Sequence, residues 1–247
     1  MKQNVKFLKE LEKQIKFLKN KDYWNYYKDH KDRILGEIEV CQAGFKGKNV
    51  LEIGAYPYFM TYCLKKAGFN VIGVDINPSR FEGFLAKNDL IVLKIDIERQ
   101  KLPFDDNSVD NVLFSEVFEH LGQNPLFAIQ EINRILKPGG KFILTTPNLY
   151  RIGNILRYIR GKGITKDVYS ELEKIQKYGH LGHLREYSKY EILTILKKTG
   201  FQIKSARYLH HPHNGKRTIF AKLLSLFYKV FGVFREGLMV EGEKGTN

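Results

Sequence analysis

Three acidic residues lie at or near the ends of short apolar runs, where carboxylates often bind a cofactor. Glu52 is followed by Gly54, which has no Cβ and lets a bound group approach the backbone closely. Asp75 ends the next apolar run, 23 residues after Glu52, where a carboxylate can accept both hydroxyls of a ribose. Asp96 follows a third run. The pattern favours a cofactor with a hydroxyl-rich or positively charged part.

A second chemically capable group, Glu116, Glu119 and His120, follows the fourth apolar run. Each side chain is a candidate to take a proton from a hydroxyl or an amine, Glu119 and His120 above all. On an α-helix, positions i, i+3 and i+4 would lie together on one turn. Two carboxylates and an imidazole there would suit a divalent metal ion. Proton transfer, metal binding and a structural role for His120 all stay open at this point.

The apolar runs belong to a pattern in which strands alternate with helices. Such a pattern predicts a parallel sheet covered on both faces, with ligands bound at the carboxyl ends of the strands. Pro138-Gly139-Gly140 predicts a turn before the fifth strand. The predicted strands are Asn49–Ile53, Asn70–Asp75, Leu90–Ile95, Val109–Ser115, Lys141–Thr145, Phe201–Tyr208 and a last strand near Gly237–Gly242.

Other regions flank or interrupt this alternation. Residues 1–47 are predicted to form an N-terminal helical extension, because apolar residues recur at helical spacing from Leu8 to Leu18. An inserted helical segment is predicted at about 148–186. Residues 218–234 are apolar on nearly every face, which favours a buried covering helix, with contact to a membrane surface as the alternative.

Composition and charge limit the class of protein. The chain has 247 residues, 43% of them hydrophobic and 28% charged, so it can bury a full core. Its net charge of +14 is concentrated in the C-terminal half. That charge predicts contact with an anionic substrate or a membrane surface, or a solubilising excess without a partner. Nucleic acid is less favoured, because no recognised RNA-binding module is present. Two cysteines and no apolar leader predict a reducing, cytoplasmic location.

Five segments carry a resemblance to a known family through their order and spacing. They are VLEIGAYPYF, VIGVDINP, Asp96-Ile97, LPFDDNSVDNVLFSEVFEHL and LKPGGKFILTTPN. Together they resemble class I S-adenosylmethionine-dependent methyltransferases. The resemblance implies a methyltransferase domain over 48–247 with a Rossmann-like, doubly wound α/β fold. Its seven-stranded sheet would be mostly parallel, with an antiparallel last strand.

The resemblance also implies residues that hold the methionine part of S-adenosylmethionine. Glu52, Gly54 and Ala55 would border that part, with the Gly54-Ala55 backbone close to it. Ser115 would face the methionine carboxylate or the sulfonium edge.

For the nucleoside, the resemblance implies that Asp75 holds the ribose diol and Ile76 packs on the adenine. Asp96 would accept the adenine amino group, with the Ile97 backbone beside the ring. The loop after the first strand departs from the family pattern, because Tyr56 stands at the second of the three glycine positions. Tyr58 stands at the third, so this loop carries two aromatic side chains where the family has glycine.

Glu-x-x-Glu-His resembles the metal-binding motif of small-RNA 2′-O-methyltransferases, and it also occurs in ubiquinone-pathway O-methyltransferases. This likeness adds His183 to Glu116, Glu119 and His120 as a possible fourth metal ligand. A similar Glu-His-Leu ending occurs in methyltransferases that need no metal. The divalent metal is therefore one alternative, beside direct contact of His120 with the substrate.

The leading hypothesis for function is O-methylation of a small, lipid-linked or glycan-linked substrate. One alternative is methylation of RNA ribose, which the basic half and the Glu-x-x-Glu-His motif favour. Another is a catalytically silent scaffold that binds the cofactor, for which Tyr56 and Tyr58 are the only support. Neither the acceptor nor the oligomeric state can be read from the sequence.

Overall fold

The computed structural model describes residues 2–165, 167–170, 172–173, 185–210 and 226–246. Its helices are α1 (Lys2–Phe17), α2 (Lys21–Gly44), α3 (Phe59–Lys66), α4 (Glu82–Asn88), α5 (Pro125–Ile135), α6 (Ile152–Ile159) and α7 (Lys189–Lys198). Its strands are β1 (Asn49–Ile53), β2 (Asn70–Asp75), β3 (Ile91–Lys94), β4 (Val109–Ser115), β5 (Leu136–Pro147), β6 (Phe201–Leu209) and β7 (Gly237–Lys244). Short 3₁₀ helices cover Pro78–Phe81, Phe118–His120 and Gly232–Phe234.

The strands form one seven-stranded sheet in the order β3-β2-β1-β4-β5-β7-β6. Strands β1 to β5 pair in parallel, whereas β7 runs antiparallel between β5 and β6. The predicted fold, a mostly parallel doubly wound sheet with an antiparallel last strand, is therefore confirmed. The chain order reverses between β1 and β4, and sheets of this kind bind ligands at the carboxyl ends of the strands beside such a reversal.

A separate hydrophobic core covers each face of the sheet. On one face, α5 and α7 contribute buried residues such as Ile132 and Leu196, which pack with Phe114 of β4. On the other face, α1, α2 and α3 pack together with Leu113. Both cysteines, Cys41 and Cys63, are buried free thiols in this second core.

The two N-terminal helices form an arm that packs on α3 and the sheet. The apolar side of α1 is buried at Leu8, Leu11 and Ile15, which is the predicted helical spacing. Tyr27 of α2 donates its hydroxyl to the Leu8 carbonyl oxygen at 2.9 Å and so joins the two helices. Asn20 caps the start of α2, since its side chain accepts from the backbone amides of the first turn. The arm therefore holds α2 against the carboxyl ends of the strands.

Parts of the predicted insert and of the predicted C-terminal helix lie outside the described residues. From the insert at about 148–186, the structure describes α6 and the residues around it, but not 174–184. From 218–234 it describes residues 226–230 as helical, followed by the 3₁₀ helix at Gly232–Phe234. In the described parts of the chain, no helix combines the length and apolar character needed to cross a membrane.

Candidate functional site

The turn after β1 can be formed only by a residue without a side chain. Gly54 has a positive φ of 72°, and a Cβ there would lie 2.1 Å from a Val117 methyl carbon. The backbone amides of Gly54 and Ala55 both donate to the carbonyl oxygen of Val74, at 2.8 and 3.1 Å. These bonds tie the turn to β2 and leave the end of β1 open toward α2.

A cavity of about 60 Å³ lies where β1 and β4 end, beneath α2. It brings together all the residues that the sequence analysis assigned to the methionine part of the cofactor. Residues of α2 and of the β4 end complete the wall. The polar and small residues around it are Tyr26, Arg33, Glu37, Glu52, Gly54, Ala55, Ser115 and Glu116.

Arg33, which the sequence analysis missed, is the one positively charged side chain among the described residues that line this cavity. Its guanidinium donates to Ser115 Oγ at 2.9 Å and to the Tyr26 hydroxyl at 3.1 Å. One of its nitrogens lies 3.4 Å from a carboxylate oxygen of Glu37. Its Nε is buried and has no hydrogen-bond partner within the described part of the chain. A buried guanidinium with a spare donor is placed to bind an anion.

Burial raises the pKa of two carboxyl groups in the cavity. Burial raises the pKa of Glu52 to about 8, and its Oε2 accepts the Thr61 hydroxyl at 2.6 Å. Burial also raises the pKa of Glu37, although Arg33 beside it acts in the opposite direction. Glu37 accepts from Ser115 Oγ at 2.8 Å. A cation that entered the cavity would oppose the effect of burial on both carboxyl groups.

The acid at the end of β2 is held by the loop that follows β2 and by the loop that follows β1. Asp75 Oδ2 accepts from the Tyr56 amide at 3.1 Å, and Oδ1 accepts from the Asn77 amide at 2.9 Å. Arg80 adds an ion pair to Oδ1 at 2.7 Å. Ile76 next to it is 50% exposed, which leaves an apolar surface open to a flat ring. The carboxylate is thus fixed in direction, and a ribose would have to share it with Arg80.

The two tyrosines at the glycine positions have different surroundings. Tyr58 adopts a positive φ of 70°, its ring is fully buried in the core, and its hydroxyl donates to the Pro78 carbonyl at 3.0 Å. Tyr56 lines the cavity, and the Arg80 guanidinium lies 3.9 Å from its ring centre. Tyr58 thus takes the backbone conformation that glycine favours while its ring packs in the core. Tyr56 is the tyrosine that shapes the pocket.

The residues after β3 lie on the Asp75 side of the strand ends and outside the cavity. Asp96 Oδ1 accepts from the Glu98 amide at 3.0 Å, and its other oxygen lies 3.6 Å from Arg99. Ile97 is buried in the core beneath them. The backbone amide of Ile95 donates to the Asp75 carbonyl at 3.0 Å, so the ends of β2 and β3 are in register.

The segment after β4 is not the α-helix that the metal hypothesis required. Glu116 has a positive φ of 56° and lines the cavity, and only a 3₁₀ turn of Phe118–His120 follows. Glu119 is fully buried and accepts the Thr146 hydroxyl at 3.0 Å, and burial raises its pKa well above the ordinary value. The side chain of His120 is 40% exposed, with its Nε2 4.0 Å from Glu119 Oε1.

The predicted metal site is therefore not supported. Glu116, Glu119 and His120 do not share one helical face, because the backbone turns sharply at Glu116. Throughout the described residues, no group of at least three His, Cys, Asp or Glu side chains is arranged to hold a metal ion. His183, the proposed fourth ligand, lies outside the described residues.

Comparisons with known proteins identify the family. The sequence model of a family described as a methyltransferase domain matches residues 51–144. An uncharacterized protein of Methanocaldococcus jannaschii is 31% identical over 74% of this chain and 73% of its own length. A probable S-adenosylmethionine-dependent methyltransferase of Mycolicibacterium smegmatis is 26% identical, over 67% of this chain and 56% of its own length.

Solved structures show the same fold. A crystal structure of an S-adenosylmethionine-dependent methyltransferase from Archaeoglobus fulgidus covers 90% of this chain and 99% of its own, with a TM-score of 0.62 and 16% identity. The matched family region contains β2, β3 and β4 and the carboxyl end of β1, together with the strand ends described above. The chain therefore belongs to the class I S-adenosylmethionine-dependent methyltransferases, a family whose cofactor is S-adenosylmethionine.

Proposed function

We propose that this protein transfers a methyl group from S-adenosylmethionine to an oxygen of a small, lipid-linked or glycan-linked acceptor. The observation that carries the proposal is the cavity between α2 and the ends of β1 and β4, which is lined by Arg33, Glu52 and Glu116. These groups complement a cofactor end that bears both a carboxylate and an ammonium. Acidic side chains at the same edge support a hydroxyl as the acceptor, because a carboxylate or imidazole can take its proton.

Different charged groups of the cavity match the carboxylate and the ammonium of the methionine part. Arg33 has a free Nε donor and would pair with the carboxylate. Glu52 would face the ammonium, which favours its ionised form and opposes the effect of burial. The cavity of about 60 Å³ holds a few small groups and no nucleoside, so the nucleoside would lie outside it, over the exposed Ile76.

S-adenosylmethionine supplies an electrophilic methyl group bound to sulfur. The residues of this chain have to hold the acceptor oxygen in line at near-attack distance and remove its proton. We assign proton removal to His120, which is accessible and whose residue type titrates near neutral pH. Glu119 lies behind it, 4.0 Å from its Nε2, and would orient the ring. Glu116 faces the cavity and would position the cofactor or the acceptor.

The role of Arg33 is tested by binding of two related ligands, measured by titration calorimetry. Arg33→Met keeps most of the side-chain length and removes the charge. It should weaken S-adenosylmethionine binding by about 10- to 100-fold, as expected for a lost charged hydrogen bond. Binding of methylthioadenosine, which lacks the amino-acid end, should not change. Equal losses for both ligands would show that Arg33 only supports the fold of the pocket.

Methyl transfer itself is tested with methyl-labelled S-adenosylmethionine and a panel of hydroxyl-bearing lipids, glycans and small molecules. His120→Gln should lower kcat for the accepted substrate by about 10²- to 10⁴-fold and leave cofactor affinity unchanged. The matched control is His210→Gln, whose ring pairs with Glu236 and does not line the cavity. A protein that binds the cofactor saturably but labels no acceptor would be the silent scaffold. Label found only in RNA, with binding that falls steeply with salt, would favour the ribose methyltransferase instead.

A further inference from the structure

Large exposed apolar side chains are concentrated in two stretches of the described chain. In α6, Leu156, Tyr158 and Ile159 are 43%, 44% and 78% exposed. In the helical residues 226–230, Leu226 and Val230 are 60% and 70% exposed. We call these five residues, with the neighbouring Phe231, the apolar corner. Single exposed apolar residues are ordinary, whereas a group of this size marks an interaction surface.

The two stretches leave the sheet at the same place. Asn148, directly after β5, donates its side-chain amide to the carbonyl oxygens of Val233 and Arg235, at 2.7 and 2.8 Å. Its backbone amide donates to the Glu236 carbonyl at 2.9 Å. Because β5 and β7 are antiparallel, α6 begins beside the segment that leads into β7. The apolar corner therefore lies at the edge where the parallel strands end, which is also the edge of the cavity.

The sequence next to the apolar corner is rich in basic residues. Residues 148–166 contain five Lys and Arg and no Asp or Glu, and residues 212–235 contain five and none. Of these, Arg151 forms an ion pair with Glu186. Within α6 and just after it, Arg157 donates to the carbonyl oxygens of Gly163 and Thr165, and Arg160 donates to that of Leu156. These acceptors are uncharged, so the hydrogen bonds hold the guanidinium groups in place without cancelling their charge.

We propose that the apolar corner binds the surface of an anionic membrane. Its aliphatic and aromatic side chains would enter the interface, and Arg157, Arg160 and Lys229 would lie over negatively charged headgroups. A nucleic acid fits less well, because four of the six side chains are aliphatic and only Tyr158 and Phe231 offer a ring on which a base can stack. The surface stands independently of the proposed function. Only its use, the delivery of a lipid-linked acceptor to the nearby cavity, rests on that function.

The test is sedimentation of the full-length protein with vesicles of phosphatidylcholine alone or mixed with phosphatidylglycerol. The unmodified protein should bind the mixed vesicles. Ile159→Ser with Val230→Ser should reduce that binding about tenfold or more, because each exposed aliphatic side chain buries apolar surface in the interface. Arg157→Gln with Arg160→Gln should reduce binding several-fold, and only to vesicles with the anionic lipid. The matched control is Ile91→Ser, on the exposed edge strand β3.

Several results would overturn the proposal. One is an unmodified protein that binds neither kind of vesicle, and another is an equal loss of binding in the Ile91→Ser control. A corner variant that only converts a dimer to a monomer, measured by analytical ultracentrifugation, would assign the surface to a second copy of the chain. Cofactor affinity, measured without vesicles, should stay the same in all these variants. Failure of cofactor binding in the unmodified protein would instead count against the proposed function and leave the membrane result standing.

Discussion

On one side of the strand ends, Asp75 and Asp96 each accept from the backbone amide two residues further along the chain, and Asp75 also accepts from the Tyr56 amide in the loop after β1. On the other side, Glu37 and Ser115 are held by side chains from distant parts of the sequence. The Arg33 to Ser115 bond spans 82 residues, and the Thr145 to Glu37 bond spans 108. The first side is organised by its own loops, and the second exists only after α2 has docked on the sheet.

The difference separates two requirements of one pocket. Carboxylates that backbone amides already hold in place can bind a ribose and an adenine without rearrangement. Buried carboxyl groups that share Arg33 form a tighter and drier environment, in which pKa values shift and charges interact strongly. We therefore expect changes on the Asp75 side to alter affinity alone, and changes on the Glu52 side to couple affinity, stability and pH.

The most damaging single change should be Gly54→Ala. The new Cβ meets Val117 at 2.1 Å, and the positive φ is unfavourable for alanine. Together these effects should cost about 4 kcal/mol of unfolding free energy. Gly36→Ala, in the middle of α2 with no other atom within 4 Å, should instead stabilise the protein by about 1 kcal/mol. Urea unfolding measures both, and similar values for the two variants would contradict the assigned strain.

Glu52→Gln should remove part of the pH dependence of stability. The folded-state pKa of about 8 lies above the ordinary value of 4.5, so the folded protein holds this proton more tightly than the unfolded chain. The resulting stabilisation is full below about pH 4.5 and is lost as the pH rises to about 8. From about pH 4.5 to 8, the unfolding free energy of the unmodified protein should therefore fall relative to that of Glu52→Gln. The control Glu82→Gln should keep the slope of the unmodified protein.

Asp75→Asn should weaken S-adenosylmethionine binding by about 2 kcal/mol, since an amide accepts fewer hydrogen bonds from the ribose hydroxyls. Adenosine affinity should fall by the same amount, because the loss concerns the nucleoside alone. The control is Asp89→Asn, whose carboxylate is exposed and pairs with Lys65. Calorimetry at one pH is sufficient. Unchanged affinity in a folded Asp75→Asn protein would refute the ribose assignment.

The smallest effect should come from Asn20→Ala at the start of α2. Loss of the cap to the Asp22 and Tyr23 amides should reduce the unfolding free energy by about 1 kcal/mol. Cofactor affinity should stay nearly constant, because Arg33 lies several turns further along the helix. A parallel loss of affinity would show instead that the whole arm docks as one unit with the pocket.

The sequence was most informative where a short apolar run ends in a polar residue or a glycine. Asn49–Ile53, Asn70–Asp75 and Val109–Ser115 were predicted with the bounds that the structure has. The predicted turn at Pro138-Gly139-Gly140 falls inside β5, which begins at Leu136 and not at the predicted Lys141. Leu136 pairs with Val109 and Lys141 with Asn111, so residues 137–140 lie opposite one residue of β4 and bulge out of the ladder, with Gly139 at a positive φ of 71°. The local residues thus set the bulge, and pairing with β4 extended the strand beyond it.

The site was predictable only in its local half. Glu52 and Gly54 could be assigned from one strand end, whereas Arg33 and Glu37 look like an ordinary i, i+4 surface pair on a helix. Nothing in their spacing indicates that both side chains are buried against β4 and β5. For Glu116 the prediction placed the residue on an α-helix with Glu119 and His120, whereas its positive φ turns the chain there. Long-range packing decided both cases.

The span of the Thr145 to Glu37 bond has a consequence for biosynthesis. At typical translation rates of about 5 to 20 residues per second, the ribosome needs roughly 5 to 20 s to make the 108 residues that separate the two partners. The apolar side of α1 can dock as soon as α3 has emerged, because both belong to the same core. Arg33 and Glu37 must stay hydrated until the fourth and fifth strands have been made, so the nascent chain can form the apolar contacts between α1 and α3 before the contacts of these buried charges.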